Sequence, residues 1–215
     1  MSFTSFNFDN IRKEPLGTIY VVDDDLDVRD SMRRLLESQD YRVEAFDSGE
    51  SFLAKYDPNA IAVLLIDQRM PGMPGTEVQE HLLARKASIP IVFLTGHGDV
   101  PMAVSVLKKG AADFLQKPVN PQTLLPIIEK LLAEAREQRV QAERQSLNEA
   151  LLSKLTPREQ QVLERIVAGR LNKQIADDLG ISIKTVEAHR ASIMDKTNSG
   201  TVADLMRVVL GAQSH

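Results

Sequence analysis

Two runs in the first half of the chain, Ile61-Ala-Val-Leu-Leu-Ile66 and Ile89-Pro-Ile-Val-Phe-Leu94, carry no polar side chain. A strand with one wet face alternates apolar and polar residues, so a run without alternation must be covered on both sides. Each run is too short for a buried helix and has the length of a strand. Three more strand-like segments surround them: Thr18-Ile-Tyr-Val-Val-Asp23, Arg42 to Phe46 and Asp113-Phe-Leu-Gln116. Arg42 to Phe46 alternates, as an edge strand does. Between the strands lie stretches with helical spacing: Asp25 to Gln39, with Val28, Met32, Leu35 and Leu36 on one side, then Glu50 to Tyr56, Thr76 to Arg85, and Val100 to Lys109, which Gly110 stops. Five strands alternating with five helices predict an α/β domain, a five-stranded doubly wound parallel sheet.

The rest of the chain changes character. From Gln122 to Leu152 helix formers run on without a break, and Pro126 falls within the first turns, where it does least damage. Leu124, Ile128, Leu131, Ala135, Ala142 and Leu151 suggest an apolar stripe that weakens in the middle, as in a solvated helical spacer. Arg139 and Gln145 interrupt any coiled-coil seam. Thr156-Pro-Arg-Glu159 is a helix start, with Thr156 as cap, Pro157 in the first turn and Glu159 completing a capping box. Gly169 ends that helix at about Ala168. Helices over Asn172 to Leu179, from the Ser182 cap to about Lys196, and over Thr201 to Leu210 follow. The predicted division is a flexible tail over 1–15, the α/β domain over 16–132, a long helical linker over 133–153, and an all-α four-helix unit over 154–215.

With 215 residues there is material for two cores. The absence of Cys excludes disulfides and thiolate metal sites, and fits a cytoplasmic protein. No apolar run approaches a bilayer span, and the N-terminus lacks the pattern of a signal peptide, so no membrane partner is expected. Residues 1–131 carry 14 Lys+Arg against 19 Asp+Glu, whereas residues 155–215 carry 8 against 7. The C-terminal part is less acidic without being strongly basic, so charge alone does not point to nucleic acid.

Ligands of a parallel sheet gather at the carboxyl ends of its strands. Here those ends read Asp23-Asp24, Asp67, Thr95 and Lys117. Neighbouring strands lie about 4.8 Å apart, so if the first strand borders the third, the acidic pair meets Asp67. Three carboxylates that close repel one another and call for a cation. A hard divalent ion, Mg2+ (or Mn2+), suits oxygen ligands and keeps room for a phosphoryl oxygen. Asp24 and Asp67 are candidate direct ligands, Asp23 a ligand through water, and the Arg69 backbone carbonyl a further one. An aspartyl nucleophile beside such a metal forms an acyl phosphate. Lys117 would hold one phosphoryl oxygen and Thr95 would donate to another. Acids at strand ends are often only helix caps, and Asp25 alone reads that way. A Gly-x-Gly-x-x-Gly nucleotide loop is absent after the first strand. A phosphatase is disfavoured, because Arg69 occupies the place of a second Asp two residues after Asp67.

IYVVDDD, LLIDQRMPGMPG, FLTGHGDVPMAV and GAADFLQKP, in that order from Thr18 to Leu132, resemble the receiver domain of two-component response regulators, and GHGDVPMAV resembles the FixJ subgroup. The resemblance implies a flavodoxin-like (CheY-like) fold with Asp67 as phosphoacceptor. It makes Asp23 and Asp24 the acidic pair, Thr95 the switch hydroxyl, Lys117 the phosphate-sensing lysine before a cis Pro118, and Phe114 the switch aromatic. A sensor histidine kinase would supply the phosphoryl group. A face including Val104, Leu107 and Phe114 would then join two copies as a homodimer.

The C-terminal helices read from their pattern alone either as a helix-turn-helix or as an ordinary four-helix unit that binds protein. As a reader of DNA, the helix after Ser182 would lie in the major groove. Ala188 and Ala191 would allow close approach, Glu187 would accept from cytosine, and Lys173, Lys184, Thr185, His189 and Arg190 are candidates for phosphate contacts. LTPREQQVLERIVAGRLNKQIADDLGISIKTVEAHRASIMDK is very similar to the LuxR/NarL/FixJ-type DNA-binding domain, and KTNSGTVADL is a looser match. By that resemblance the chain is a response-regulator transcription factor, with double-stranded promoter DNA and RNA polymerase as partners. It is not an enzyme beyond its own phosphorylation and dephosphorylation.

Overall fold

The structure, a computed structural model, describes residues 17–96 and 100–213. The predicted tail over 1–15 and part of the GHGDV motif lie outside the described residues. The chain divides into two compact units, with the boundary between Glu137 and Gln138.

The N-terminal unit alternates strands and helices: β1 (Thr18–Val22), α1 (Leu26–Glu37), β2 (Arg42–Phe46), α2 (Gly49–Lys55), β3 (Ala62–Asp67), α3 (Gly75–Ala84), β4 (Ile91–Thr95), α4 (Val100–Lys108), β5 (Asp113–Gln116) and the start of α5 (Pro121–Leu152). All strand pairs are parallel, in the order β2-β1-β3-β4-β5. The two apolar runs are the central strands β3 and β4, and alternating β2 is an edge, as expected. β4 starts at Ile91 rather than Ile89, because Pro90 has no N–H for the ladder.

Pleating sends successive side chains to opposite faces. Tyr20, Leu64, Ile66 and Phe93 join Phe52, Val78 and Val106 in one core. Ile19, Val21, Val63, Leu65, Val92 and Leu94 join Leu36, Leu124 and Ile128 in the other. This double coverage is why β3 carries no polar residue before its last position. Asp25 caps α1, accepting from the Asp27 and Val28 N–H groups at 2.9 and 3.4 Å. α3 starts at Gly75, where a Cβ would collide with the backbone carbonyl oxygen of Asp67 and lie 3.1 Å from the Phe93 ring. α4 is tied to α3 by Gln79, whose Nε2 donates to the Val106 carbonyl at 3.1 Å. Among the described residues the buried Oε1 of Gln79 has no hydrogen-bond partner.

α5 is one continuous helix with Pro126 inside it. Leu124, Ile128, Leu131 and Leu132 are buried, but Ala142 is exposed, so the expected stripe does not reach the middle of the helix. That stretch stays open to solvent, and Arg139 pairs with Glu143 along the helix at 2.7 Å.

The C-terminal unit contains α6 (Pro157–Val167), α7 (Asn172–Leu179), α8 (Ile183–Lys196) and α9 (Val202–Gln213). Gly180 adopts φ 63°, the left-handed conformation that the turn between α7 and α8 needs. Val162, Ile175, Val186, Ile193 and Leu205 form the core. The predicted capping box at Thr156 and Glu159 is present. Glu159 does more than cap. Its carboxylate, only 4% exposed, also accepts from Ser192 at 2.6 Å and from Lys196 at 2.7 and 2.9 Å, locking α6 to α8. The Lys196 and Ser192 hydrogen bonds lower the Glu159 pKa from 4.5 to about 2.

Gly75→Ala is expected to lower the stability of the N-terminal unit by roughly 1–3 kcal/mol, because the group in the way is backbone and must move. Urea unfolding of the full chain measures this. Since the folded state depresses the Glu159 pKa, its contribution is complete above 4.5 and is lost as pH falls towards about 2. Thermal unfolding across that window should show the loss, and Glu159→Gln should flatten it.

Candidate phosphorylation site and nucleic-acid interface

The register fixes what meets at the rim. Val22 pairs with Ile66, so Asp23 and Asp67 emerge side by side from β1 and β3. Thr95 pairs with Gln116, so Lys117 follows directly at the end of β5. The Lys117 N–H donates to the Thr95 carbonyl at 2.6 Å, and Lys117-Pro118 is cis. Its Nζ donates to Asp23 Oδ2 at 2.5 Å and to Asp67 Oδ2 at 2.8 Å. Carboxylate oxygens of Asp23, Asp24 and Asp67 lie within 4.8 Å of one another.

Asp23 is wholly buried, while Asp24 is exposed and Asp67 is 9% exposed. The remaining oxygens have partners too. Asp23 Oδ1 accepts from the Asp25 N–H at 3.0 Å, and Asp67 Oδ1 from the Arg69 N–H at 3.3 Å. Arg29, which no sequence motif singles out, donates to the Asp23 carbonyl at 2.6 Å and adds positive charge one turn into α1.

Burial raises the Asp23 pKa, against the opposing pull of the Lys117 and Asp25 hydrogen bonds. For Lys117 burial acts downwards, but the bonds to Asp23 and Asp67 outweigh it and the pKa is raised. Lys117 is therefore an ammonium at neutral pH. One ammonium against three carboxylates leaves the pocket short of positive charge. An all-oxygen donor set of that charge fits a hard divalent cation.

Thr95 is buried at the same rim, and its Oγ1 donates to Gln68 Oε1 at 3.3 Å. Gln68 was not among the sequence candidates. Its place directly after an all-apolar strand that ends in the candidate nucleophile is the signal that could have found it. Arg69 is exposed just beyond. On the adjoining face Val104 and Leu107 are 44% and 43% exposed, whereas Phe114 is half-buried and packs against the core.

In the C-terminal unit, Lys184, Thr185, Glu187, Ala188 and Ala191 are exposed on α8, and Lys173 is exposed on α7. His189 and Arg190 are half-buried, and Val186 and Ile193 are fully buried on the opposite side. Thr185 is already engaged with the Ser182 cap through its N–H, at 3.1 Å, and its hydroxyl, at 2.8 Å. The outer face of α8 is thus polar with small residues at its centre, a surface that can approach a groove closely.

Residues 19–129 match the family model described as "Response regulator receiver domain", and residues 153–209 match "Bacterial regulatory proteins, luxR family". The chain is 39% identical over 197 residues to the transcriptional regulatory protein FixJ of Bradyrhizobium diazoefficiens, covering 91% of this chain and 96% of that protein. It is 43% identical over 192 residues to the response regulator protein TodT of Pseudomonas putida F1, covering 89% and 85%. Among solved structures, the response regulator StyR matches with a TM-score of 0.84 at 48% identity, over 90% of this chain and 98% of that one. Full-length FixJ from B. japonicum matches with a TM-score of 0.54 at 37% identity, over 91% and 97%. Among the described residues no helix is long and apolar enough to cross a membrane. These matches imply a kinase partner and DNA binding, and the chain belongs to the response regulators that join a receiver domain to a luxR-type DNA-binding domain, phosphorylation-dependent regulators of transcription.

Proposed function

We propose that Asp67 is the phosphoacceptor of this regulator. The observation that carries the reading is the Lys117 ammonium bridging Asp23 and Asp67, with Asp24 beside them. In this reading Asp24 and Asp67 would hold Mg2+ (or Mn2+) directly, Asp23 would act through water, and the Arg69 carbonyl would complete the protein's share. The metal supplies the charge that lets an anionic phosphoryl group approach a carboxylate. One Asp67 oxygen attacks phosphorus on the phosphohistidine of a sensor kinase. The P–O bond forms, the P–N bond breaks, and the imidazole leaves as the kinase's neutral side chain after taking up a proton. Lys117 exchanges a carboxylate for a phosphoryl oxygen, and Thr95 donates to another. Loss of the phosphoryl group to water at the same pocket returns the protein to its resting state.

Residues 16–132 form the receiver, 133–153 a helical spacer and 154–215 the DNA reader. Phosphorylation repacks the α4–β5 face, with Phe114 following Thr95. Val104 and Leu107 then meet their counterparts on a second copy, giving a two-fold dimer. Lys173, Lys184, Thr185, His189 and Arg190 hold phosphates. Glu187, Ala188 and Ala191 face base edges. The regulator works in the cytoplasm and acts on promoter DNA, in reach of RNA polymerase.

Incubated with Mg2+ and acetyl phosphate, the full chain should gain one phosphoryl group by intact mass. Asp67→Asn should gain none, and a chelator should abolish the gain in the parent. Labelling of the Asn variant at the parent's rate would remove the central assignment. For the reader, Lys184→Ala should weaken binding to all DNA sequences and reduce the salt slope by about one. Glu187→Ala should instead change base preference at one position and leave that slope alone. Binding titrations at several salt concentrations separate the two.

A further inference from the structure

We propose that Gln68 is a positioning residue for the switch, a brake whose side-chain carbonyl competes with the phosphoryl group for the Thr95 hydroxyl. The inference rests on the reading of Thr95 as the group that answers phosphorylation. It adds a residue that resists that answer.

Gln68 is the first residue beyond β3 and is only 6% exposed. Its backbone is held at both ends. The N–H donates to the Leu94 carbonyl on β4 at 3.0 Å, and its carbonyl accepts from the Gly75 N–H at the start of α3 at 3.1 Å. The side chain therefore leaves from a fixed point beside Thr95, which is 1% exposed. Its Oε1 accepts from Thr95 Oγ1 at 3.3 Å.

A hydroxyl has one proton to give. While Thr95 donates it to Gln68, that proton is not offered to a group on Asp67. Donation to a phosphoryl oxygen requires the Gln68 bond to break, so each arrangement excludes the other. The backbones of Thr95 and Lys117 are also joined, the Lys117 N–H donating to the Thr95 carbonyl at 2.6 Å. The resting bond is neutral and long, and a phosphoryl oxygen is a charged acceptor that makes a shorter, stronger bond. The exchange therefore runs forward once Asp67 is phosphorylated and is opposed before. Gln68 would set the level of activity without signal, while Asp67 sets the response.

A neutral hydrogen bond of this kind changes an equilibrium constant by roughly 3- to 10-fold. Gln68→Met keeps the length of the side chain and removes the acceptor. The readout is amide hydrogen exchange over residues 100–116 of the full-length protein, before and after treatment with acetyl phosphate and Mg2+. In the unphosphorylated Gln68→Met protein the fraction showing the phosphorylated pattern should rise roughly 3- to 10-fold. Gln68→Glu retains an acceptor and should return it to the parent value or below. Gln68→Leu serves as a second acceptor-free variant if Gln68→Met is poorly folded by thermal unfolding. The decisive control is a Thr95→Val background, where the brake has nothing to hold and Gln68→Met should change nothing. An equal effect of Gln68→Met with and without the Thr95 hydroxyl overturns the proposal, and so does no effect in either. If Thr95→Val leaves the response to acetyl phosphate intact, the reading of Thr95 falls and the brake falls with it. If Thr95→Val abolishes the response but Gln68→Met is silent, only the brake falls.

Discussion

A single ammonium group placed between carboxylates from two different strands holds the signalling end of this molecule together. Lys117 comes from the far edge of the sheet, and Asp23 and Asp67 from its middle. Bringing two acids together below the surface is unfavourable in water-poor surroundings, and burial indeed pushes Asp23 towards its neutral form. The lysine offsets part of that cost without saturating the pocket. What remains is an excess of negative oxygen that a divalent cation and a phosphoryl group can share. The mutual repulsion of these acids is also what makes the rim receptive, and the parallel register of β1, β3, β4 and β5 delivers them to one place.

Much of this arrangement is legible in the sequence, for local reasons. A run such as Ile61 to Ile66 permits one environment only, and once two such runs are central the strand ends carrying Asp67 and Thr95 must be neighbours. Caps and turns at Asp25, Thr156 and Gly180 are readable because each depends on two or three adjacent residues. What escapes are contacts between residues distant in sequence. Glu159 looks complete as a capping residue, and nothing nearby announces that Ser192 and Lys196 also claim its carboxylate. Gln68 looks like surface because glutamine usually is. Ala142 falls on an apolar stripe by spacing alone, although small residues at helical spacing do not create a partner to pack against.

The DNA-reading half rests on another buried acid with a different purpose. Glu159 is fully hydrogen-bonded and strongly acidic, so it stays charged and fixed. It anchors α8 against α6 from behind and leaves the outer face of α8 free of structural duties, apart from the first-turn cap at Thr185. Two buried carboxylate sites in one chain thus have opposite characters. The one in the C-terminal unit has as many donors as it can use and is built for rigidity. The one at the sheet rim is short of positive charge and is built to change.

Gln79 shows how α4 is tied to its neighbour. Val106 is the fully buried side chain of α4, and its carbonyl receives the amide of Gln79. Val100, Val104 and Leu107 on the same helix point their apolar surface outward. Lys109, just past the end of α4, adds an ion pair to Glu80 of α3 at 2.7 Å, and Met102 packs against the core, so α4 is held on its inner side while its outer side stays apolar. The other end of the Gln79 amide, Oε1, has no donor among the described residues. A shift of α4 that brought an N–H or O–H to that oxygen would complete the hydrogen bonding of the Gln79 amide, which ties the position of this helix to one glutamine on its neighbour.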